Sequence, residues 1–384
     1  MLNFLRELVE LSSETNNLLG IEAVQKKIIE RLKLYRPKIS MIESETSDYS
    51  ASVLASWGAE KINPHSKGIC LITHADTVYA TEDLRPFEID SAKGIAFGGG
   101  VADNKGGIVI ALEALEKLFS AGKLNNLQKP LYFFSSSCEE MGSPGFQKFI
   151  REFRTQLSFV LGMEPALPGG HLIKKRRGNR YYKFSIHGNS VHTGRDIQNS
   201  ANPTLGFVKL HELIEKLSLL YPQLSLSING VQSFPFKFNM SSEKILVTLD
   251  MRFENYDVAQ SFHSELEKEL AQLQFFSSNK NNYGFITFEI VDDCPSFETS
   301  MSDSLQKAQE IYSKVEGCEV LLSAGQGASD CCYFAYKDLQ IVDGLGPRGG
   351  AIHSKEEFVE VKSIDQRSTA LAQYLEYLLD PRCP

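Results

Sequence analysis

Ile69-Cys70-Leu71-Ile72-Thr73-His74-Ala75-Asp76 carries the strongest local signal in the chain. Its first residues are apolar without alternation, the pattern of a strand buried on both faces. The run then stops at a histidine and a carboxylate two positions apart. Open parallel α/β sheets deliver ligand-binding groups at the carboxyl ends of their strands. The same pattern recurs twice. Leu131-Tyr132-Phe133-Phe134 leads through serines to Cys138-Glu139-Glu140, and Phe159-Val160-Leu161 leads to Gly162-Met163-Glu164-Pro165. Neighbouring strands of this kind bring a histidine and several acids to one sheet edge. That nitrogen and oxygen donor set suits zinc or a related divalent metal.

Downstream of the first strand comes Gly98-Gly99-Gly100-Val101-Ala102-Asp103-Asn104-Lys105-Gly106-Gly107, followed by a helix over 108–118. A glycine-rich loop before a helix can cradle phosphate. This one has the wrong residues for it. The dinucleotide pattern requires a third glycine where Asp103 stands, and the phosphate-loop pattern requires Ser or Thr after Gly-Lys. The glycines instead let the backbone fold tightly so that Asp103 reaches the metal site. Gly349-Gly350-Ala351-Ile352-His353-Ser354 supplies a second histidine in a glycine-rich loop. The candidate ligands are therefore His74, Asp103, Glu140, Glu164 and His353. Asp103 has two oxygens and can bridge two ions. A pair of cations roughly 3.5 Å apart clamps a water and polarises a carbonyl. Glu139 lies beside a ligand and is placed to take a proton from that water. Asp76 is placed to accept the other ring N–H of His74.

The totals are those of an ordinary globular protein. The chain has 384 residues, 42% hydrophobic and 23% charged, with a net charge of −8. That length allows two domains or one large one. The negative balance argues against nucleic acid as a partner. No apolar run approaches the roughly 20 residues of a membrane span. The N-terminus has early acids and no cleavable apolar core, so it does not read as a secretory signal. The seven cysteines form no paired metal-binding spacing. A reducing cytoplasm is the expected location.

The texture changes near Tyr181. Tyr182-Lys183-Phe184-Ser185-Ile186-His187 alternates as a half-buried strand does. Helices are expected at 203–219 and 259–273, with strands between and after them. An α+β unit is thus expected at 178–292, inserted into a domain formed by 1–177 and 293–384. That first domain reads as α/β with a mostly parallel sheet, completed by helices near 304–315 and 363–379. The basic run Lys174-Lys175-Arg176-Arg177-Gly178-Asn179-Arg180 reads as a solvated linker. His65, His171, His187, His211 and His263 carry no signal beyond a structural one.

His74-Ala75-Asp76, the segment ending Asp103-Asn104-Lys105-Gly106-Gly107, Glu139-Glu140, Glu164-Pro165 and Gly350-Ala351-Ile352-His353 occur in one order across the chain. Together they resemble the dinuclear zinc amidohydrolase and exopeptidase family, which includes glutamate carboxypeptidases, aminoacylases, acetylornithine deacetylases and succinyl-diaminopimelate desuccinylases. The resemblance implies a metallopeptidase catalytic domain with one metal on His74, Asp103 and Glu164 and another on Asp103, Glu140 and His353. It implies Glu139 as general base and acid, and zinc as the metal, with cobalt or manganese as alternatives. The inserted unit resembles the family's lid and dimerisation domain, which implies a homodimer. Val191-His192-Thr193-Gly194 matches its histidine motif, where the histidine stabilises an oxyanion, often across the dimer. Asn239 and Arg252 match positions that grip substrate, Arg252 being suited to a bidentate carboxylate contact. The family commonly has a proline shortly after that asparagine, where this chain has Met240-Ser241-Ser242.

The resulting expectation is a metal-dependent hydrolase that cleaves an amide bond next to a free carboxylate. A glutamate-carboxypeptidase-like exopeptidase comes first, because relatives with Glu at the position of Glu164 tend toward carboxypeptidase and deacylase activity. N-acyl amino acid deacylation and dipeptide hydrolysis are the alternatives. Substrates would be small peptides or N-acyl amino acids, with no nucleic acid and no membrane involved. From another class, a catalytically silent binding protein on the same scaffold has the full ligand set and Glu139 against it.

Overall fold

The computed structural model describes residues 1–59 and 66–382, so the turn at Asn63-Pro64 and His65 lie outside the described residues. The chain divides into two compact units, Met1–Arg176 with Phe297–Pro384, and Arg177–Ser296.

The first unit is built on a six-stranded sheet in the order Lys38–Ile42, Ser52–Trp57, Leu131–Ser136, Gly68–His74, Leu157–Gly162, Gln340–Val342. The last four strands run parallel, and Ser52–Trp57 runs antiparallel to both of its neighbours, so that Lys38–Ile42 points the same way as the last four. The sheet is therefore mixed, with Ser52–Trp57 as the one reversed strand in the mostly parallel arrangement that the sequence suggests. The reason is chain length. Residues 43–51 are fewer than the dozen or so that a parallel crossover needs, so the strands they join run antiparallel. Gly68–His74 and Leu131–Ser136 are buried along their whole length, which explains their lack of alternation. Ile69, Leu71, Phe133 and Leu161 belong to one core with helices Lys105–Ser120 and Val361–Leu379. Each such side chain contributes roughly 1.5–3 kcal/mol on burial. Local signals place the helix ends. Asn17 caps Leu18–Lys33 by accepting from the Gly20 N–H, and Ser302 caps Asp303–Glu316 by accepting from the Leu305 N–H. Gly317, at φ 71°, ends that helix in the left-handed conformation. No helix among the described residues is long and apolar enough to cross a membrane.

The second unit is a five-stranded antiparallel sheet in the order Ser225–Phe234, Lys244–Phe253, Gly178–His187, Tyr283–Cys294, Phe275–Phe276. Ile245, Val247, Leu249, Met251 and Phe253 alternate inward along one strand and share a core with helices Pro203–Leu220 and Tyr256–Gln272. Asn202 and Asn255 cap these helices, and Pro203 occupies the first helical turn, where its missing N–H costs nothing.

Two sequence expectations need correction here. The helix after the glycine run starts at Lys105, so Gly106 and Gly107 are in its first turn. A Cβ on Gly107 would stand 2.2 Å from the Met163 carbonyl oxygen. The residue is glycine because the helix packs against the end of a strand, and this outweighs glycine's poor helix propensity. The basic run is also not a solvated linker. It spans strands Leu172–Arg176 and Gly178–His187, and Arg176 and Arg180 are buried. Arg176 donates from Nε to Asp343 at 2.7 Å, and Arg180 donates to both Asp293 oxygens at 2.8 Å. The long side chains turn inward because carboxylates await them, which charge composition alone does not reveal. Removing one partner of a buried pair strands the other charge at about 3–5 kcal/mol. Arg176→Ala is thus expected to lower unfolding free energy by that amount in urea titration; a change below about 1 kcal/mol, usual for a solvated site, would restore the linker reading.

Candidate metal centre

Strand register builds this site. His74 is level with Ser136, and Ile72 with Gly162. The flanking strands therefore release Glu139-Glu140 and Glu164 next to His74. Glu139 and Glu140 sit in a single 3₁₀ turn, ended by Gly142 at φ 82°. Asp103 arrives on the glycine loop. Gly100 has φ 73°, and a Cβ there would meet Thr77 Cγ2 at 2.5 Å, so no other residue fits. His353 comes from the loop before strand Phe358–Glu360, and its side chain is 51% exposed, marking the open side of the cluster.

All five expected ligands meet, together with Glu139 and Asp76. His74 Nε2 lies 3.0 Å from Asp103 Oδ1, 3.6 Å from Glu164 Oε1 and 3.9 Å from Glu139 Oε2. His353 Nε2 lies 3.3 Å from Asp103 Oδ2 and 3.3 Å from Glu140 Oε2. One Asp103 oxygen thus faces each histidine. His74 Nδ1 is held by the Asp76 carbonyl at 3.0 Å, with the Asp76 carboxylate at 3.3 Å. Asp76 does more than orient a ring. It accepts the Glu139 and Glu140 backbone N–H groups at 3.1 Å each and the Thr15 hydroxyl at 2.8 Å, fixing the turn that carries both glutamates.

Five carboxylates thus face two imidazoles in a largely buried cluster open at His353. Burial opposes charge on His74, yet Glu139, Asp103, Asp76 and Glu164 hold its pKa well above the usual imidazole range. Hydrogen bonds to Asp103 and then Glu140 raise His353 to about 10. Burial, with Glu164, Asp330 and Glu140 nearby, pushes Glu139 well above the carboxylate range against the pull of His74. Burial likewise raises Glu164 and Glu140. Asp103 resists its own burial and is lowered by His353 and His74. Such a cluster lacks positive charge. A divalent cation fits the donors that are present. Ligand atoms of His74, Asp103 and Glu140 all lie within 4.8 Å of one another, and Glu140 Oε1 is buried without a hydrogen-bond partner. His/Asp/Glu is the donor chemistry of zinc and its neighbours.

Some participants gave little or no signal in the sequence. Asn104 donates to the Met163 carbonyl and to Glu164 Oε1, both at 3.0 Å, aiming that carboxylate. Thr15 and Glu357 are distant in sequence and sit in unremarkable contexts. Asp330 is buried beside the Ser143 and Ser136 hydroxyls, and burial pushes it up to about 6. In the sequence the pair Ser329-Asp330 fits the resembled family's loop near the site, and a turn role explains it as well.

The three residues expected to contact substrate lie in the second unit. His192 is exposed and accepts from the Gly194 N–H at 3.2 Å. It bridges to Met240, and the adjoining Asn239 carbonyl accepts from Thr193 at 3.1 Å, so His192 and Asn239 are on facing segments. Arg252 turns its fork to Asp250, with Nε at 2.8 Å from Oδ1 and Nη2 at 3.0 Å from Oδ2, and Nη2 also reaches the Tyr181 hydroxyl at 2.9 Å. The bidentate contact expected with a substrate is thus made internally.

The sequence profile described as "Peptidase family M20/M25/M40" matches residues 70–377, which contain every residue of this cluster. The chain belongs to that family. It is on that ground a metal-dependent hydrolase, which removes the silent binding protein from consideration. It is 25% identical over 319 residues to carboxypeptidase G2 of Pseudomonas sp. strain RS-16, covering 78% of this chain and 71% of that one. It is 27% identical over 311 residues to a succinyl-diaminopimelate desuccinylase of Wigglesworthia glossinidia brevipalpis, covering 76% and 78%. The solved M20 family metallo-carboxypeptidase Sso-CP2 of Sulfolobus solfataricus superposes with a TM-score of 0.72 at 18% identity, covering 98% of each chain, and shares its fold.

Because Asp76 holds both the His74 ring and the Glu139-Glu140 turn, Asp76→Ala is expected to weaken zinc affinity by about 10- to 100-fold, the usual scale for such outer partners. Competition against a chromophoric chelator checks this, and wild-type affinity in the variant would contradict it.

Proposed function

We propose that this chain is a dinuclear, zinc-first exopeptidase of the glutamate-carboxypeptidase kind, cleaving an amide bond next to a free carboxylate. One observation carries the proposal. The two oxygens of Asp103 face two different histidines, His74 and His353, with Glu164 beside the first and Glu140 beside the second. On this reading His74, Asp103 and Glu164 hold one cation and Asp103, Glu140 and His353 hold the other. When bound, the pair polarises the scissile carbonyl and makes water nucleophilic near neutral pH.

The chain's own groups do the rest. Glu139 stands next to the cluster and outside both ligand sets, and its carboxylate takes the proton from water and returns it to the leaving amine. Its position is fixed through its backbone by Asp76, so the carboxylate stays aimed while its protonation changes. Asp76 sets the tautomer of His74. Asn104 keeps Glu164 from turning away. His192 is the proposed oxyanion donor, supplied by a partner subunit, and Asn239 and Arg252 form the grip for the substrate carboxylate. Arg252 already gives Nε and Nη2 to Asp250 and Nη2 to Tyr181, so a bidentate grip on substrate through that edge requires it to exchange Asp250 for the substrate carboxylate. The exposed edge strand Ser225–Phe234 is the proposed dimer edge in the second unit. A cytoplasmic location remains the proposal from the sequence.

The similarity to a desuccinylase favours a second reading, release of an N-acyl group from an amino acid. A substrate panel on the zinc-, cobalt- and manganese-loaded protein separates the two. Fastest turnover is expected on peptides and acyl conjugates ending in glutamate. A preference for N-acetyl or N-succinyl amino acids without regard to the terminal residue would overturn the first reading in favour of the second. Glu139→Gln is expected to retain both metal equivalents and to lower kcat by about 10²-fold or more; normal turnover would remove Glu139 from this role. His192→Ala should lower kcat with metal affinity unchanged. A fully active monomer would rule out donation across a dimer.

A further inference from the structure

Glu357 lies four residues beyond His353, in the run Lys355-Glu356-Glu357. Charge alone would place it in solvent, yet it is 1% exposed. Its Oε1 accepts the backbone N–H groups of Ala102 at 2.7 Å and Asp103 at 3.0 Å. Its Oε2 accepts the Gly100 N–H at 3.1 Å and faces the Tyr79 hydroxyl. Its carbonyl accepts the Gly98 N–H, and its own N–H binds the Ser354 carbonyl at 3.1 Å. The Tyr79 hydroxyl shares its proton with that same Ser354 carbonyl, 3.0 Å away, next to His353. Tyr79 stands three residues after Asp76. Three separate segments therefore meet on one carboxylate: the one following His74, the one bearing Asp103 and the one bearing His353.

We propose that Glu357, with Tyr79, is the positioning residue that sets the spacing of the two cation positions, by tying the backbone of Asp103 to the loop of His353. The inference rests on the reading of these residues as a cation site. Asp103 must present one oxygen to each side, so a small shift of its backbone against His353 weakens one position as it favours the other. Glu357 holds Asp103 by the N–H of that very residue. An ionised acceptor makes hydrogen bonds about twice as strong as a neutral one and satisfies three N–H donors of a glycine-rich loop that has few side chains to fix it. A glutamine cannot do this, because its amide nitrogen would face an N–H with another N–H.

The test uses the full-length protein, stripped and then titrated with Zn²⁺ and, separately, with Co²⁺. Wild type is expected to take up two equivalents. Glu357→Gln is expected to bind them about 10- to 100-fold more weakly, with an altered visible absorption spectrum of the cobalt form. Tyr79→Phe, which loses a single hydroxyl, is expected to weaken binding roughly 2- to 10-fold in the same direction. Melting of the metal-free proteins is followed in parallel. Wild-type affinities and an unchanged cobalt spectrum in Glu357→Gln would overturn the proposal, whatever happens to the melting temperature, since that is how a merely structural carboxylate behaves. If Glu357→Gln does not fold, Tyr79→Phe decides by the same two readouts. Wild type that binds neither cation would refute the cation site itself, and this inference with it.

Discussion

Five buried or half-buried carboxylates crowd two imidazoles, and Asp103 stands between the two rings. Two unit charges 4 Å apart interact by about 4 kcal/mol at an effective dielectric of 20. A surplus of negative charge at these spacings costs several kcal/mol unless positive charge answers it. Protons answer it in part, which is why both histidines are driven strongly toward the protonated form. Divalent cations answer it more fully, and they give a use to the lone Glu140 oxygen that bonds to nothing. The surrounding structure works to keep these repelling groups together.

The sheet supplies the first restraint. Parallel neighbours in register bring His74, Glu139-Glu140 and Glu164 to one edge with no long loops to order. The glycines supply the second. Gly100 lets the loop take a conformation that a side chain would forbid, and Gly107 lets helix Lys105–Ser120 approach the carbonyl of Met163. That approach carries Asn104 to Glu164. Buried acceptors supply the third. Asp76 binds the turn of Glu139 and Glu140, and Glu357 binds the loop of Asp103, in both cases through backbone N–H groups. Outside the cluster, Arg176 with Asp343 and Arg367 with Glu316 place further buried charge in pairs within the same unit.

The candidate ligands were legible because each follows a strand with an unbroken apolar run, or lies in a glycine-rich loop, and those patterns are local. Direction of pairing was not legible. Ser52–Trp57 reads as a strand from its residues, but nothing in it says that it runs against Leu131–Ser136. Partners across long sequence distances were equally hidden. Thr15, Asn104 and Glu357 act through contacts 60 or more residues away, and although Asn104 stands in a recognisable segment, a single sequence carries no mark of these partners. The basic run misled because long cationic side chains default to solvent, and only the fold reveals Asp343 and Asp293 waiting inside. Arg252 was legible as a forked donor but not as one already satisfied by Asp250.

The most direct measurement is a crystal grown with zinc and recorded at the zinc absorption edge. Two anomalous peaks are expected, one among His74, Asp103 and Glu164 and one among Asp103, Glu140 and His353, with an Asp103 oxygen on each. A single peak, or peaks that leave Asp103 bound on one side only, would contradict the bridged pair.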